Sequence, residues 1–341
     1  MIHLLAAILL AATPSPAPKN VILLIADGTG AAHLTVTKNV RGADFRIGSM
    51  PVAGFVSTHC ADRAVTDSAA AATALASGVK TNHEMLGQDP AGNRLTTVLD
   101  DAEARGKATG LVTTTAFWDA TPAAFAAHAN HRHDAGVAAQ MLREDIELIA
   151  GAGLQSFGKG KLPPFETFIK DSGYTVITNP SQLESARGSR LLAVFPGQAR
   201  DLDVPEAPLP VLARWAIDRL DDDPEGFFLM IEHEGTDSAS HANFTPDVRR
   251  ALASFDEAVG VALDFAKRRG DTLVVVTSDH ETGGLRIGES KSGAYRLEWA
   301  SPDHTSAMVP IFAYGPGAAA FAGLQDNTDV GKKLRAAVAG N

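Results

Sequence analysis

The apolar positions of this chain fall into two alternating patterns. Short, nearly unbroken aliphatic or β-branched runs occur at Val21–Ile25, Val52–Thr58, Gly110–Thr115, Phe227–Ile231, Thr272–Thr277 and Met308–Tyr314. Between them, helical spacing predicts helices over Ser68–Ser77, Leu95–Arg105, Ala135–Ile149, Leu209–Leu220 and Pro246–Arg268. Strands alternating with helices of this length predict an α/β fold, a mostly parallel central sheet with helices on both faces. Runs such as VILLI and TLVVVT, apolar at every position, fit strands buried on both sides. The stretch 151–208 is richer in Gly, Pro and polar residues and is kept within the same domain, so that 18–341 is expected to form one domain.

Composition adds a compartment and removes some partners. The chain has 341 residues, 45% of them hydrophobic, and a net charge of −10 without any long Lys/Arg run, which argues against a nucleic-acid partner. An anionic substrate would be repelled overall, so local positive charge would have to prevail at its site. Residues 1–17 read as a signal peptide, with an apolar core over Leu4–Ala12, small residues and prolines after it, and cleavage near Ala17. That core is too short to span a bilayer, and a secreted or periplasmic location is expected. The single cysteine, Cys60, excludes an intrachain disulfide and reads as a small buried hydrophobe.

The chemistry lies just beyond the strands. Val21–Ile25 leads into Ala26-Asp27-Gly28, Gly110–Thr115 into Trp118-Asp119-Ala120-Thr121, Phe227–Ile231 into Glu232, Asp237 and His241, and Thr272–Thr277 into Ser278-Asp279-His280. Ligands of open α/β sheets bind outside the carboxyl ends of the strands. One aspartate there is ordinary turn chemistry, but four strands ending in carboxylates, two with a nearby histidine, assemble a metal site. Mixed Asp and His suit zinc or a similar divalent ion, and carboxylate with hydroxyl suits magnesium. His304 can add another nitrogen. His3, His33, His59, His83, His131, His133 and His233 read as surface or hydrogen-bonded histidines. In VTDSAAAATALASGVKT, Thr66 or Asp67 can cap an alanine-rich helix, leaving Ser68 in a first turn whose N–H groups favour anions. Ser68 is then part of an ordinary capped helix or a nucleophile at an anion site. No histidine lies near it in sequence with an evident acidic partner, so a metal is its natural activator.

The pieces NVILLIADGTG, VTDSAAAATALASGVKT, FWDATPAAFAAHANHR, GFFLMIEHEGTDSASHAN, TLVVVTSDHETGG and DHTS before VPIFAYGPGA resemble, in order, those of the alkaline phosphatase family. The resemblance runs from about residue 20 to residue 316. It implies a three-layer α/β/α sandwich and a metal-dependent phosphomonoesterase in which Ser68 forms a covalent phosphoserine. It further implies that Asp237, His241 and His304 hold one zinc, that Asp27, Asp279 and His280 hold a second, and that Asp27, Thr121 and Glu232 hold magnesium, with Asp119 in its outer shell. Arg132 would clamp two phosphate oxygens, oriented by Asp67. Many relatives are homodimers, which leaves monomer and dimer both open here.

Three departures qualify the resemblance. Ala26 and Thr29 stand where relatives usually carry Gly and Met, and Thr29 is expected to bring a hydroxyl near the metals. Ser238 stands where relatives often carry Lys, His or Trp, so phosphate is expected to be held less firmly and the third metal to differ. With little length for insertions, an open pocket of low leaving-group selectivity is expected. The alternatives are a phosphodiesterase of the same superfamily and a non-catalytic zinc- or phosphate-binding protein.

Overall fold

The computed structural model describes residues 17–160, 162–197, 207–289, 291 and 295–340. The expected signal peptide lies outside these residues except for Ala17. A ten-stranded sheet forms the centre: β1 (Asn20–Ala26), β2 (Val52–Ser57), β3 (Ala108–Ala116), β4 (Leu148–Ala152), β5 (Thr175–Ile177), β6 (Leu191–Val194), β7 (Phe227–His233), β8 (Thr272–Thr277), β13 (Val309–Tyr314) and β14 (Gly323–Asp326), in the order β14-β2-β13-β8-β1-β7-β3-β4-β6-β5. Only β13 runs against the others, pairing antiparallel with both β8 and β2. Two short antiparallel pairs flank the C-terminal edge: β9 (Glu281–Thr282) with β12 (His304–Thr305), and β10 (Arg286–Glu289) with β11 (Tyr295–Glu298).

The helices are α1 (Ala31–Arg41), α2 (Ser68–Ser77), α3 (Val98–Glu103), α4 (Ala120–Ala126), α5 (Val137–Met141), α6 (Phe165–Ile169), α7 (Leu209–Leu220), α8 (Gly235–His241), α9 (Thr245–Arg269) and α10 (Asn327–Ala339). Strand β1 shows why three layers form. Val21, Leu23 and Ile25 join one core with Ala72 and Leu75 of α2, Ala124 of α4 and Leu334 of α10, while Ile22, Leu24 and Ala26 join a second with α7 and α9. Alternate side chains of a strand point to opposite faces, so a continuous apolar run can serve both layers. The predicted α/β/α sandwich is thus the observed one. Among the described residues, no helix is long and apolar enough to cross a membrane.

The helix expected over Ala135–Ile149 stops at Met141, and Leu148–Ala152 is a strand paired with β3 and β6. The apolar run LIAGA is buried at every position and its small residues suit a central strand. The stretch 151–208 supplies β5, β6 and the end of β4, which extend the sheet beyond β3. Helix α2 is alanine-rich because all ten of its residues are buried. Gly331 of α10 crosses it so closely that a Cβ there would lie 2.3 Å from the Ala74 carbonyl oxygen.

Candidate metal and phosphate centre

The carboxyl ends of the parallel strands converge on one place. Beyond β1 comes Asp27, within β7 lies Glu232, and beyond β8 come Asp279 and His280. Beyond β3, Asp119 caps α4 by accepting from the Ala120 N–H at 2.7 Å, and Thr121 follows in its first turn. Asp237 and His241 sit four residues apart on α8, and His304 enters from β12, just ahead of the reversed β13. Gly28 lets these segments meet. Its φ is +69°, and a Cβ would lie 2.8 Å from the Asp237 Cα, so only glycine fits.

Ligand atoms gather in three overlapping groups, each within 4.8 Å: Asp237, His241 and His304; Asp27, Asp237 and His280; and Asp27, Glu232 and Glu234. Asp279 stands beside the second group rather than within it, its Oδ2 3.3 Å from His280 Nε2, while Asp27 Oδ1 lies 3.4 Å from the same nitrogen. The first two groups share Asp237 and the last two share Asp27.

The histidine protons are fixed by their other partners. His304 Nδ1 lies 3.0 Å from the Thr66 carbonyl, and His241 Nδ1 faces that of Pro302. A carbonyl only accepts, so both Nδ1 atoms carry protons, and in the neutral rings both Nε2 atoms present lone pairs. Those Nε2 atoms are 3.1 Å apart, and with both rings neutral neither can donate to the other. His280 is set the same way: the Thr282 hydroxyl donates to Asp237 Oδ1 at 2.5 Å and therefore accepts from His280 Nδ1 at 3.2 Å. Lone pairs aimed together, with Nδ1–H held behind, are the arrangement of metal-ligating imidazoles.

Burial sets the protonation states. It pushes His280 and His304 down to about 4, so both are neutral near neutral pH. It pushes Asp279 up to about 6, Glu232 up to about 8, and Asp27 and Glu234 well above the carboxylate range. For Asp237 burial acts the same way, but the His241 hydrogen bond and the nearby histidines outweigh it and its carboxyl titrates low. Both oxygens of Asp27, Asp279 Oδ2 and the Thr121 hydroxyl are buried without a hydrogen bond. Buried carboxylates without donors are costly unless a cation meets them. The residues therefore fit divalent ions: nitrogen and oxygen donors in the first two groups suit zinc, and the all-oxygen third suits magnesium.

Beside these groups, Ser68 opens α2, with Asp67 as its cap accepting from the Ala69 and Ala70 N–H groups at 3.2 Å each. Ser68 Oγ is 3.2 Å from His280 Nε2. Arg132 donates through Nη2 to Asp119 at 3.0 Å and through Nη1 to Asp67 at 3.4 Å. Burial disfavours its charge, yet Asp119 and Asp67 more than offset this and hold it protonated. Asp119 is also met by the Thr115 hydroxyl at 3.1 Å, so its carboxylate lies on Arg132 rather than among the third group. A cleft of about 740 Å³ opens here, polar along Asp67, Arg132 and His241 and apolar along Trp118 and Leu162.

Four participants escaped the sequence. Thr282, and the carbonyls of Thr66 and Pro302, orient histidines, a role the sequence assigned to none of them. Glu234, two residues after Glu232, carries its own carboxylate into the third group. Conversely, the Thr29 hydroxyl turns back to the Asp27 carbonyl at 3.4 Å, away from the ligand oxygens.

Fold and site together define an α/β/α protein whose serine is set at a helix start beside clustered carboxylates and histidines that could hold metal ions. The family model described as alkaline phosphatase matches residues 18–298 and 289–339, and the chain belongs to the alkaline phosphatase family, whose members are phosphomonoester hydrolases. It is 29% identical to alkaline phosphatase 4 of Bacillus subtilis (strain 168), over 91% of this chain and 87% of that one. It is 30% identical to the alkaline phosphatase of Escherichia coli (strain K12), over 94% and 86%. A mutant TAB5 alkaline phosphatase, solved with magnesium bound in its M3 site, superposes with a TM-score of 0.87 at 30% identity, covering 96% of this chain and 99% of that one.

Proposed function

We propose that this chain is an exported phosphatase that hydrolyses phosphate monoesters through a covalent phosphoserine on Ser68. Two zinc ions would be held by Asp237, His241 and His304 and by Asp27, Asp279 and His280, and magnesium by Asp27, Thr121 and Glu232. The observation that carries this reading is the convergence of Ser68 Oγ and two carboxylates on one lone pair, that of His280 Nε2. In a serine–histidine–aspartate triad the carboxylate would sit behind the ring on Nδ1. Here Nδ1 faces the Thr282 hydroxyl and the carboxylates crowd the nitrogen that meets the serine, an arrangement that a cation satisfies and a proton relay does not.

When bound, the ions supply Lewis-acid charge that favours ionised serine and water oxygens and offsets the surrounding carboxylates. The protein's own share follows from the geometry. Arg132, steadied by Asp119 and Asp67, presents a planar fork to two phosphate oxygens. Ser68 Oγ bonds to phosphorus as the bond to the leaving oxygen breaks, and the leaving alkoxide takes up a proton. Water then bonds to phosphorus as the P–Oγ bond breaks, and Ser68 regains its proton as inorganic phosphate departs. The third, all-oxygen group favours the monoester over the diester reading, because diesterases of this superfamily generally lack the magnesium site. The magnesium-bearing TAB5 relative supports the same assignment.

The test is p-nitrophenyl phosphate hydrolysis by EDTA-stripped protein given back zinc, magnesium or both, wild type against Ser68→Ala. Activity that returns with metal and falls by about 10³-fold or more in the variant is expected. Cleavage of bis-p-nitrophenyl phosphate with none of the monoester would sink the proposal in favour of a diesterase.

A further inference from the structure

Glu234 stands at the junction of β7 and α8, two residues beyond Glu232. Its N–H donates to the Thr114 hydroxyl at 3.0 Å, tying this junction to β3. Its side chain is half-buried and turned inward, with an oxygen inside the same 4.8 Å group as Asp27 and Glu232. Among the described residues, no Lys or Arg forms an ion pair with any of these three carboxylates. The nearby guanidinium of Arg132 is taken by Asp67 and Asp119. Three carboxylates in such a space need a counter-charge, and a carboxylate cluster alone does not say which. The second observation lies around it: both Asp27 oxygens and the Thr121 hydroxyl, each side chain 1% exposed, accept or donate no hydrogen bond. Glu232 is different, since Thr113 donates to its Oε2 at 2.6 Å and thereby fixes its orientation.

Ser238 gives Glu234 its bearing. One turn along α8, its hydroxyl donates to Glu234 Oε1 at 3.1 Å. A lysine at 238 would neutralise this carboxylate. A serine orients it and leaves its charge intact.

Resting on the three-ion reading above, we infer that Glu234 is a further protein ligand of the third ion, joining Asp27, Thr121 and Glu232 in an all-oxygen set with three carboxylates. Ser238 is its positioning residue. A small hard cation, magnesium or manganese, is the class such a set takes. The added carboxylate replaces a water that a two-carboxylate site would keep, so the ion is held more tightly and exchanges more slowly.

The experiment uses the whole zinc-loaded protein freed of its third ion and titrated with Mn²⁺, with free Mn²⁺ read by electron paramagnetic resonance and zinc by atomic emission. Wild type should bind one Mn²⁺ beside two zinc ions. Glu232→Gln and Glu234→Gln should each weaken Mn²⁺ binding by about tenfold or more, with zinc content unchanged. Glu234→Asp keeps the charge but shortens the reach, so ligation requires that it weaken binding as well. Wild-type affinity in Glu234→Asp would reduce Glu234 to a through-space charge and overturn the inference even if Glu234→Gln failed to fold. Wild-type affinity in Glu234→Gln, with Glu232→Gln impaired, overturns the inference while the three-ion reading stands. A wild type that binds only two ions removes that reading and the inference with it.

Discussion

At the scale of single residues, the site is governed by where protons sit. Thr66, Pro302 and Thr282 each fix one histidine's Nδ1–H. The Nε2 atoms of neutral His280 and His304 face carboxylates as lone pairs, while His241 Nε2 is left to meet Asp237, by a proton in the ion-free fold or as a lone pair toward an ion. Arg132 is governed in the same way by its two aspartates. Arg132→Ala is expected to lower kcat/KM for p-nitrophenyl phosphate by about 10²-fold or more, as removal of a charge-stabilising donor does elsewhere. Asp119→Ala leaves the guanidinium in place but loose, so phosphate inhibition should weaken by about tenfold with little change in zinc content, and Asp119→Asn should recover part of it. Steady-state kinetics with inorganic phosphate as inhibitor, alongside metal analysis, separates the two cases. An Asp119→Ala variant that loses zinc would place this carboxylate in the metal centre instead.

At the scale of elements, what was readable from the sequence was whatever is written locally. Asp27, Glu232, Asp279 and His280 follow buried aliphatic runs directly, and Asp67 and Ser68 sit at an evident helix start, so both their location and their chemistry are visible in one dimension. The strands β4, β5 and β6 were not, because they are short, rich in small residues or flanked by glycines, and AAQML before LIAGA carries helical spacing into a strand. Strand β14 was missed because at the sheet's edge three of its four positions are not buried. Glu234 was missed because a carboxylate two residues from a ligand looks like a solvent-facing neighbour until the strand's end turns it inward. Gly28 marks a local constraint of the other sort. Gly28→Ala is expected to cost about 1–3 kcal/mol from its left-handed backbone and to push Asp237 out of both histidine groups, lowering the melting temperature and the bound zinc together. A variant with normal zinc content would show that the α8 segment can yield.

For the whole molecule, the acidic centre makes stability depend on its ions. Burial raises Asp27, Glu234 and Glu232, the last to about 8, so the metal-free fold keeps protons that the unfolded chain has released, and stability falls as pH rises from the ordinary carboxylate range to about 8 for Glu232. His241, raised to about 8 chiefly by its hydrogen bond to Asp237, adds stability at low pH that is lost over the same rise. The two contributions have the same sign. From about pH 7 to just above pH 8, EDTA-stripped protein should therefore lose melting temperature that the metal-loaded protein keeps. Calorimetry of both forms across that range checks this, and parallel pH profiles would show that the carboxylates are not crowded in the way the geometry indicates.

The reversed strand β13 has a bearing on when this centre can exist during the protein's own making. Asp27 comes early in the described fold, whereas His304, held by the Thr66 carbonyl and by pairing with Thr282, comes late, just ahead of Val309–Tyr314 between β2 and β8. A nascent chain arrested before residue 304 would hold Asp237 and His241 without their partner nitrogen, and the sheet would still lack the strand joining β2 to β8. Uptake of an ion at the proposed Asp237–His241–His304 group would thus report that synthesis has passed residue 304, which falls close in the chain to β13, the strand that joins β2 to β8.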